Sequence, residues 1–216
     1  MEPHSLMVVR HGVVVAEGWW ARYRPERLQQ LYSVSKVFTS TAVGLAVKEG
    51  LVDLDEKLVD GLPEASQFAG PRASAITLRD ALTMTSVHRN DSLPAIADRA
   101  GLPAAPSPDE GFLSYEPEDL PGRNFVYDRG AAILAGACVQ RRSGQRLVEY
   151  LHPRLFDPLG IKEAAWQQLP DGRDVGFSGL FLSTESLARF GMLALAKAGG
   201  AGGHSSRRPG SPKPCA

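Results

Sequence analysis

The segment that most constrains the fold is 34–48, in which apolar side chains recur at nearly helical spacing around much of the circumference. Gly50 follows it as a stop signal. A helix with so little polar surface is stable only when other elements cover it, so the pattern predicts a buried helix. Residues 127–142 have the same apolar character and end at Ser143-Gly144, which predicts a second buried helix.

The rest of the pattern predicts one hairpin and several shorter helices. Two runs rich in β-branched residues, 6–10 and 13–20, are separated by His11-Gly12 and predict antiparallel strands. Residues 22–30 are polar and irregular, and the proline-rich stretch 87–123 allows only short helical turns. Start and stop signals predict three further helices, at 77–83 with Thr77 as N-cap, at 147–156 and at 183–197. We therefore expect an α+β fold.

Charge and hydropathy exclude several classes of partner. The 216 residues carry 24 Lys+Arg against 24 Asp+Glu, and a nucleic-acid-binding protein needs a surplus of positive charge. No apolar run approaches the roughly 18–20 residues that span a bilayer. The first five residues lack the basic start and apolar stretch of a signal peptide. These features predict a cytoplasmic protein that binds neither nucleic acid nor membrane.

The cysteines and histidines do not form a metal-binding pattern. Cys138 lies in an apolar run and is expected to be a small buried hydrophobe, whereas Cys215 lies near the C-terminus. The five histidines are scattered and show no spacing typical of metal ligands. We predict neither a metal nor a cofactor.

The last residues differ in composition from everything before them. Residues 198–216 are rich in Gly, Pro, Ser and Arg and contain no Leu, Ile, Val, Phe, Tyr or Trp. Such a segment buries too little apolar surface to offset the entropy of ordering. We predict one domain at 1–197 and a disordered tail at 198–216.

The motif with the clearest chemistry is Ser33-Val34-Ser35-Lys36 at the start of the apolar helix. Residues three apart share a helix face, so the Lys36 amine can reach the Ser33 hydroxyl. An amine held partly out of water can accept the proton of a nucleophilic serine. The first helical turn also offers free N–H groups that stabilise an oxyanion. On its own, the motif is more typical of an N-cap serine followed by a solvated lysine.

Further segments resemble the serine β-lactamase and penicillin-binding protein superfamily, in its class C-like branch. They follow the family's order and spacing: YSVSKVFTST at 32–41, ITLRDALTMTS at 76–86, PGRNFVY at 121–127, QRRSG at 140–144, LFDPLGI at 155–161 and GFSGLFLSTESLARFG at 176–191. The resemblance implies a β-lactamase/transpeptidase-like fold with Ser33 as nucleophile. It also implies that Tyr127 shares proton transfer with Lys36. Where the family has Asn or Ser two residues after this tyrosine, the chain has Arg129, which is expected to contact substrate, crowd the pocket or point to solvent.

A second departure concerns the end of the chain. The family's third motif, K-T-G or H-x-G on a late strand, has no counterpart here, since Gly202-Gly203-His204 lacks strand-forming neighbours. The resemblance therefore implies a C-terminally truncated domain that lacks the last strands of the sheet and one oxyanion donor. We predict a serine hydrolase of small esters, amides or β-lactams, impaired by that loss. The alternative is a catalytically inactive product or a non-enzymatic binder of acyl ligands.

Overall fold

The computed structural model describes residues 3–88, 91–93 and 107–199. These residues form seven α-helices: α1 (Ser35–Lys48), α2 (Leu58–Gly61), α3 (Leu78–Thr83), α4 (Pro108–Leu113), α5 (Arg129–Ser143), α6 (Leu147–Leu151) and α7 (Thr184–Gly199). They also form five strands: β1 (Ser5–Arg10), β2 (Val13–Trp19), β3 (Gln29–Gln30), β4 (Ala165–Trp166) and β5 (Leu180–Leu182). The expected α+β class is confirmed.

Helix α5 is the centre of the molecule. All residues from Gly130 to Gln140 are buried, and α1, α2, α3, α4 and α6 all pack against this helix. The prediction that α1 is covered around most of its circumference is wrong. Its buried residues form a single stripe, while Val34 and Val37 on the opposite side are 44% and 48% exposed. This open side of α1 lies beside Ser33.

Helix ends follow local hydrogen-bonding chemistry where the sequence shows it. Thr77 caps α3 as predicted, in a reciprocal box with Asp80: each side chain accepts the other's backbone N–H, at 3.1 and 2.9 Å. Ser183 precedes α7 and its Oγ accepts from the Ser186 N–H at 3.1 Å. Helix α5 begins at Arg129, two residues later than predicted, because the Asp128 side chain accepts the Gly130 N–H and forms the N-cap.

The strands form two separate sheets. Strands β1 and β2 pair antiparallel as the predicted hairpin, with a bulge between Val8 and Val9. The second sheet, in the order β3-β5-β4, was not predicted, and Gln29–Gln30 lies in it rather than in an irregular segment. Its strands are only two or three residues long, so their order comes from packing partners distant in sequence.

Two other boundaries differ from the sequence prediction. The helix predicted at 147–156 ends as α6 at Leu151 and continues as a π-helical turn, His152–Phe156, because Pro153 has no N–H to donate. Helix α7 continues to Gly199, two residues into the predicted tail. Residues 1–2, 89–90, 94–106 and 200–216, which include most of the predicted tail, lie outside the described residues. In the described part of the chain, no helix is long and apolar enough to cross a bilayer.

Candidate active site

Ser33 lies at the entrance to α1, in the 3-10 turn Tyr32–Val34. Its side chain is exposed, whereas Ser35 is fully buried and its Oγ accepts a hydrogen bond from the Leu180 N–H at 3.1 Å. Tyr32, directly before the serine, has a φ of +46°, a left-handed conformation that side chains rarely adopt. The two serines of the motif therefore face opposite ways, and only Ser33 is accessible to a ligand.

Lys36 is fixed between two oxygen atoms. Its Nζ donates to Ser33 Oγ at 3.0 Å and to the backbone carbonyl of Phe177 at 2.9 Å. The amine also lies 5.1 Å from the centre of the Tyr127 ring and 5.6 Å from that of Phe177. The predicted contact between Lys36 and Ser33 is thus present, and aromatic rings shield the amine on two sides.

Tyr127 completes a continuous hydrogen-bonded group with the first two side chains. Its Oη lies 3.1 Å from Ser33 Oγ, and the residue lies two positions before the start of α5. Partial burial opposes ionisation of the phenol, but hydrogen bonds from Lys36 and Ser33, together with the charge of Lys36, outweigh it and lower the pKa of Tyr127. The structure therefore brings together the three residues that the sequence singled out as catalytic candidates.

The chain segment around Gly176 forms the third side of the site, which the sequence reasoning missed. Thr39 Oγ1 donates to the Gly176 carbonyl at 2.6 Å, one residue before the carbonyl that holds Lys36. A Cβ at Gly176 would lie 2.5 Å from the Ala132 carbonyl oxygen, so only glycine allows this segment to approach α5 so closely. The available signal was the pair of glycines in Gly176-Phe177-Ser178-Gly179.

Asp128, directly after Tyr127, anchors a buried polar cluster. Its Oδ1 accepts from the N–H and Oγ of Ser92 at 3.1 and 2.7 Å, and its Oδ2 lies 3.1 Å from His88 Nδ1. The other ring nitrogen of His88 lies 2.8 Å from the Tyr115 carbonyl. Burial would raise the pKa of Asp128, yet the hydrogen bonds from His88 and Ser92 lower it below its usual value. The cluster fixes the backbone next to Tyr127 and so helps to position its side chain.

Arg129 neither blocks the site nor extends freely into water. Its guanidinium forms an ion pair with the Asp91 carboxylate, which also accepts the Arg129 backbone N–H at 2.9 Å. The guanidinium carbon lies 5.8 Å from the centre of the Phe177 ring. Asp91 thus holds Arg129 at the edge of the site, an arrangement that no local pattern in the sequence indicates.

No other reactive centre stands out within 3–88, 91–93 and 107–199. These residues contain no group of three or more His, Cys, Asp or Glu side chains placed to hold a metal ion. Cys138 is buried in the core, as predicted, and burial raises the pKa of its thiol to about 12. That thiol remains protonated and is inert as a nucleophile.

Comparison with known proteins identifies the family. A protein-family profile described as Beta-lactamase matches residues 4–213. The chain belongs to the Beta-lactamase family. The family resemblance of its sequence segments is thereby confirmed, and with it the β-lactamase/transpeptidase-like fold.

The similar proteins include a curated relative and several solved structures. This Beta-lactamase family protein is 32% identical over 165 residues to the lovastatin esterase of Penicillium rubens, a match that covers 65% of the chain and 41% of the esterase. A 6-aminohexanoate-dimer hydrolase candidate from Bacillus anthracis has the same fold, with a TM-score of 0.76 at 19% identity, over 89% of this chain and 54% of the other. A penicillin-binding protein homologue from Pyrococcus abyssi gives a TM-score of 0.67 at 22% identity, with coverages of 89% and 52%. The chain thus spans about half the length of these relatives.

Proposed function

We propose that the chain is a serine hydrolase that cleaves small esters or amides through an acyl-Ser33 intermediate. The observation that carries the proposal is the hydrogen-bonded series Lys36 Nζ, Ser33 Oγ and Tyr127 Oη, with separations of 3.0 and 3.1 Å. Nucleophilic catalysis by a surface serine needs a base on one side, here Tyr127, and gains from a cation on the other, here Lys36. The exposure of Ser33 gives a substrate carbonyl access to it.

The hydrogen bonds support separate roles for the two partners of Ser33. Lys36 donates to Ser33 Oγ, so the serine's own hydrogen is free to be donated to Tyr127 Oη. Tyr127, with its lowered pKa, is then the base, and the positive charge of Lys36 stabilises the phenolate. This is narrower than the sequence-based hypothesis, in which Lys36 and Tyr127 share the proton transfer.

The reaction then balances in two steps. Ser33 Oγ attacks the carbonyl carbon as its proton passes to Tyr127, and the tetrahedral intermediate expels the alcohol or amine, which takes that proton. In the second step Tyr127 accepts a proton from water, which attacks the acyl-serine. A carboxylic acid leaves, and the proton returns to Ser33. Arg129, held by Asp91 over the Phe177 ring, is proposed to border the bound substrate.

The named relatives support the substrate class. An esterase and a 6-aminohexanoate-dimer hydrolase candidate are among the similar proteins, so esters and amides are the first substrates to test. β-Lactams remain the third class to include, because the chain belongs to the Beta-lactamase family. Each of these offers an electrophilic carbonyl to the same serine.

Covalent labelling tests the proposal. A fluorophosphonate probe should label the chain once, at Ser33, and Ser33→Ala should abolish the label. Ser40→Ala, an exposed serine on the same helix, should label at the wild-type rate. Ser35→Ala removes a buried hydroxyl that faces away from the site, so the molecules of this variant that fold should still be labelled at Ser33. Labelling that survives Ser33→Ala contradicts the proposal, and a label on Ser33 without turnover of any ester favours the acyl-ligand binder instead.

A further inference from the structure

A groove of about 280 Å³ opens beside the nucleophile and has no part in the reaction described above. One of its wall residues is Tyr32, the residue directly before Ser33. Its other walls come from the N-terminal residues and from the loop between β2 and β3, and include His4, Arg22, Tyr23, Arg27 and Gln30. Because Tyr32 and Ser33 are neighbours in the chain, the groove lies next to the candidate nucleophile.

The groove carries positive charge that the described chain does not neutralise. Arg22 and Arg27 both line it, and neither forms an ion pair with a carboxylate in the part of the chain that the structure describes. Several other arginines are paired, as Arg79 is with Asp55 and Arg154 with Glu49. Glu26 is adjacent in sequence to Arg27 but is not among the groove's lining residues. Guanidinium groups in a concave surface are well suited to a carboxylate, because their donors match its two oxygens.

The loop that presents the arginines has a defined conformation. Arg22 has a φ of +81°, and Arg27 Nη1 donates to the Arg22 carbonyl at 2.7 Å. The rings of His4 and Tyr23 stack with their centres 3.9 Å apart, which joins the loop to the start of the chain. A non-glycine residue held in this sparsely populated conformation is typical of binding sites, where the surrounding contacts offset its cost.

We propose that this groove binds a carboxylate at the far end of the substrate, so that the preferred esters or amides are anionic. The inference rests on the proposed hydrolase function and specifies its substrate class. Arg22 and Arg27 supply the charge and the hydrogen-bond donors. The rings of Tyr23 and Tyr32 supply apolar walls for the spacer between the carboxylate and the scissile carbonyl.

Two esters that differ only at the far end of the acyl chain test the groove. Mono-p-nitrophenyl glutarate ends in a carboxylate, and p-nitrophenyl pentanoate ends in a methyl group at the same position. The ratio of their acylation rates should favour the glutarate in the wild-type chain. Arg27→Gln should lower that ratio about 10-fold and leave the pentanoate rate unchanged within about twofold. Arg22→Asn should do the same, since asparagine tolerates a positive φ.

Arg24→Gln is the matched control. It removes the same charge from the same loop, but Arg24 does not line the groove, so the ratio should stay within about twofold of wild type.

A second pair, 4-acetoxybenzoate and phenyl acetate, places the carboxylate on the leaving group instead. Unchanged ratios for both pairs in Arg27→Gln, with normal pentanoate acylation, overturn the groove proposal and leave the hydrolase proposal intact.

Failure of the hydrolase proposal gives a different result. If neither ester acylates Ser33, the affinity of the groove for a carboxylate is measured by calorimetric titration with glutaric acid monoanilide, which needs no reaction. Binding that is at least about 10-fold weaker in Arg27→Gln than in Arg24→Gln supports the carboxylate site. Equal affinity in the two variants, or no binding to the wild-type chain, overturns it.

Discussion

Ser33 accepts a hydrogen bond from Lys36 and faces the Tyr127 hydroxyl, and this order determines which pH profile the site should show. In the proposed mechanism the phenolate of Tyr127 is the active form, so the acylation rate should rise with pH through the Tyr127 pKa, which lies below the ordinary value of a tyrosine. Tyr127→Phe should slow acylation about 10²–10⁴-fold, the usual contribution of a general base, and remove the rise. Single-turnover acylation by p-nitrophenyl pentanoate across pH measures both effects.

A second tyrosine provides the control for that experiment. The Tyr150 hydroxyl donates to Glu49 at 3.0 Å and takes no part in the hydrogen bonds around Ser33. Tyr150→Phe removes an equivalent hydroxyl and should leave the pH profile of acylation unchanged. A Tyr127→Phe variant that keeps the wild-type profile contradicts the assignment of Tyr127 as base.

The sequence indicated the catalytic candidates but not the residues that hold them in place. Ser33 and Lys36 lie three residues apart on one turn, so a short motif reveals their contact, and Tyr127 was located through the family resemblance. The partners Asp91, His88 and Phe177 meet the site across 38, 40 and 141 positions of sequence. No local pattern encodes such contacts, because they arise only when the loops pack together.

At the scale of single elements, the start of α5 depends on one buried carboxylate. Asp128 accepts hydrogen bonds from Ser92, Gly130 and His88. In Asp128→Asn an NH2 group replaces one of the two accepting oxygens and faces a hydrogen-bond donor. The variant should lose about 3 kcal/mol of unfolding free energy at neutral pH, the usual cost of breaking a buried pair. Urea denaturation measures the loss. Asp55→Asn, which breaks an exposed ion pair with Arg79, should change the stability little.

The effect of Asp128→Asn should also depend on pH. Because the pKa of Asp128 is lower in the folded state, its stabilising contribution is complete above the unfolded pKa of about 3.9 and is lost as pH falls through the folded pKa. The difference in stability between wild type and variant should therefore narrow below about pH 4. A difference that stays constant down to pH 2 contradicts a charged Asp128.

The approach of the Gly176 segment to α5 gives another element-scale prediction. Gly176→Ala places a methyl group 2.5 Å from the Ala132 carbonyl oxygen, which forces backbone to move. We expect a loss of about 1–3 kcal/mol of unfolding free energy and slower labelling of Ser33, because the Phe177 carbonyl shifts away from Lys36. Gly44→Ala adds the same methyl group in open space on α1 and should stabilise the chain. Equal stability of the two variants contradicts the steric argument.

Local chemistry explains which elements the sequence predicted well. The Thr77 and Ser183 caps depend on neighbours three residues away. The hairpin depends on the two-residue turn between its strands. The β3-β5-β4 sheet joins residues 29–30, 165–166 and 180–182, whose few residues carry no periodicity of their own. Its existence follows from the tertiary fold rather than from propensity.

At the scale of the whole molecule, the hairpin carries an exposed apolar surface. It shares no strand pairing with the second sheet, and Val13 and Val15 are 62% and 57% exposed. An exposed apolar strand favours association between copies. The double variant Val13→Thr/Val15→Thr should reduce concentration-dependent light scattering and change the unfolding free energy by less than about 0.5 kcal/mol. Unchanged scattering would show that another surface drives association.

The spacing of the catalytic candidates along the chain has a practical consequence. Ser33 and Tyr127 are separated by 94 positions, and Lys36 and Phe177 by 141, so an unfolded molecule holds no reactive serine. If Ser33 is the nucleophile, the fraction of chains that take up a covalent probe counts the native molecules in a preparation. Probe uptake followed through a denaturant series then traces the loss of the site, and its midpoint can be set against that of the helices seen by circular dichroism. A site that is lost before the helices would show that the segments around Ser33 separate while the helices are still folded.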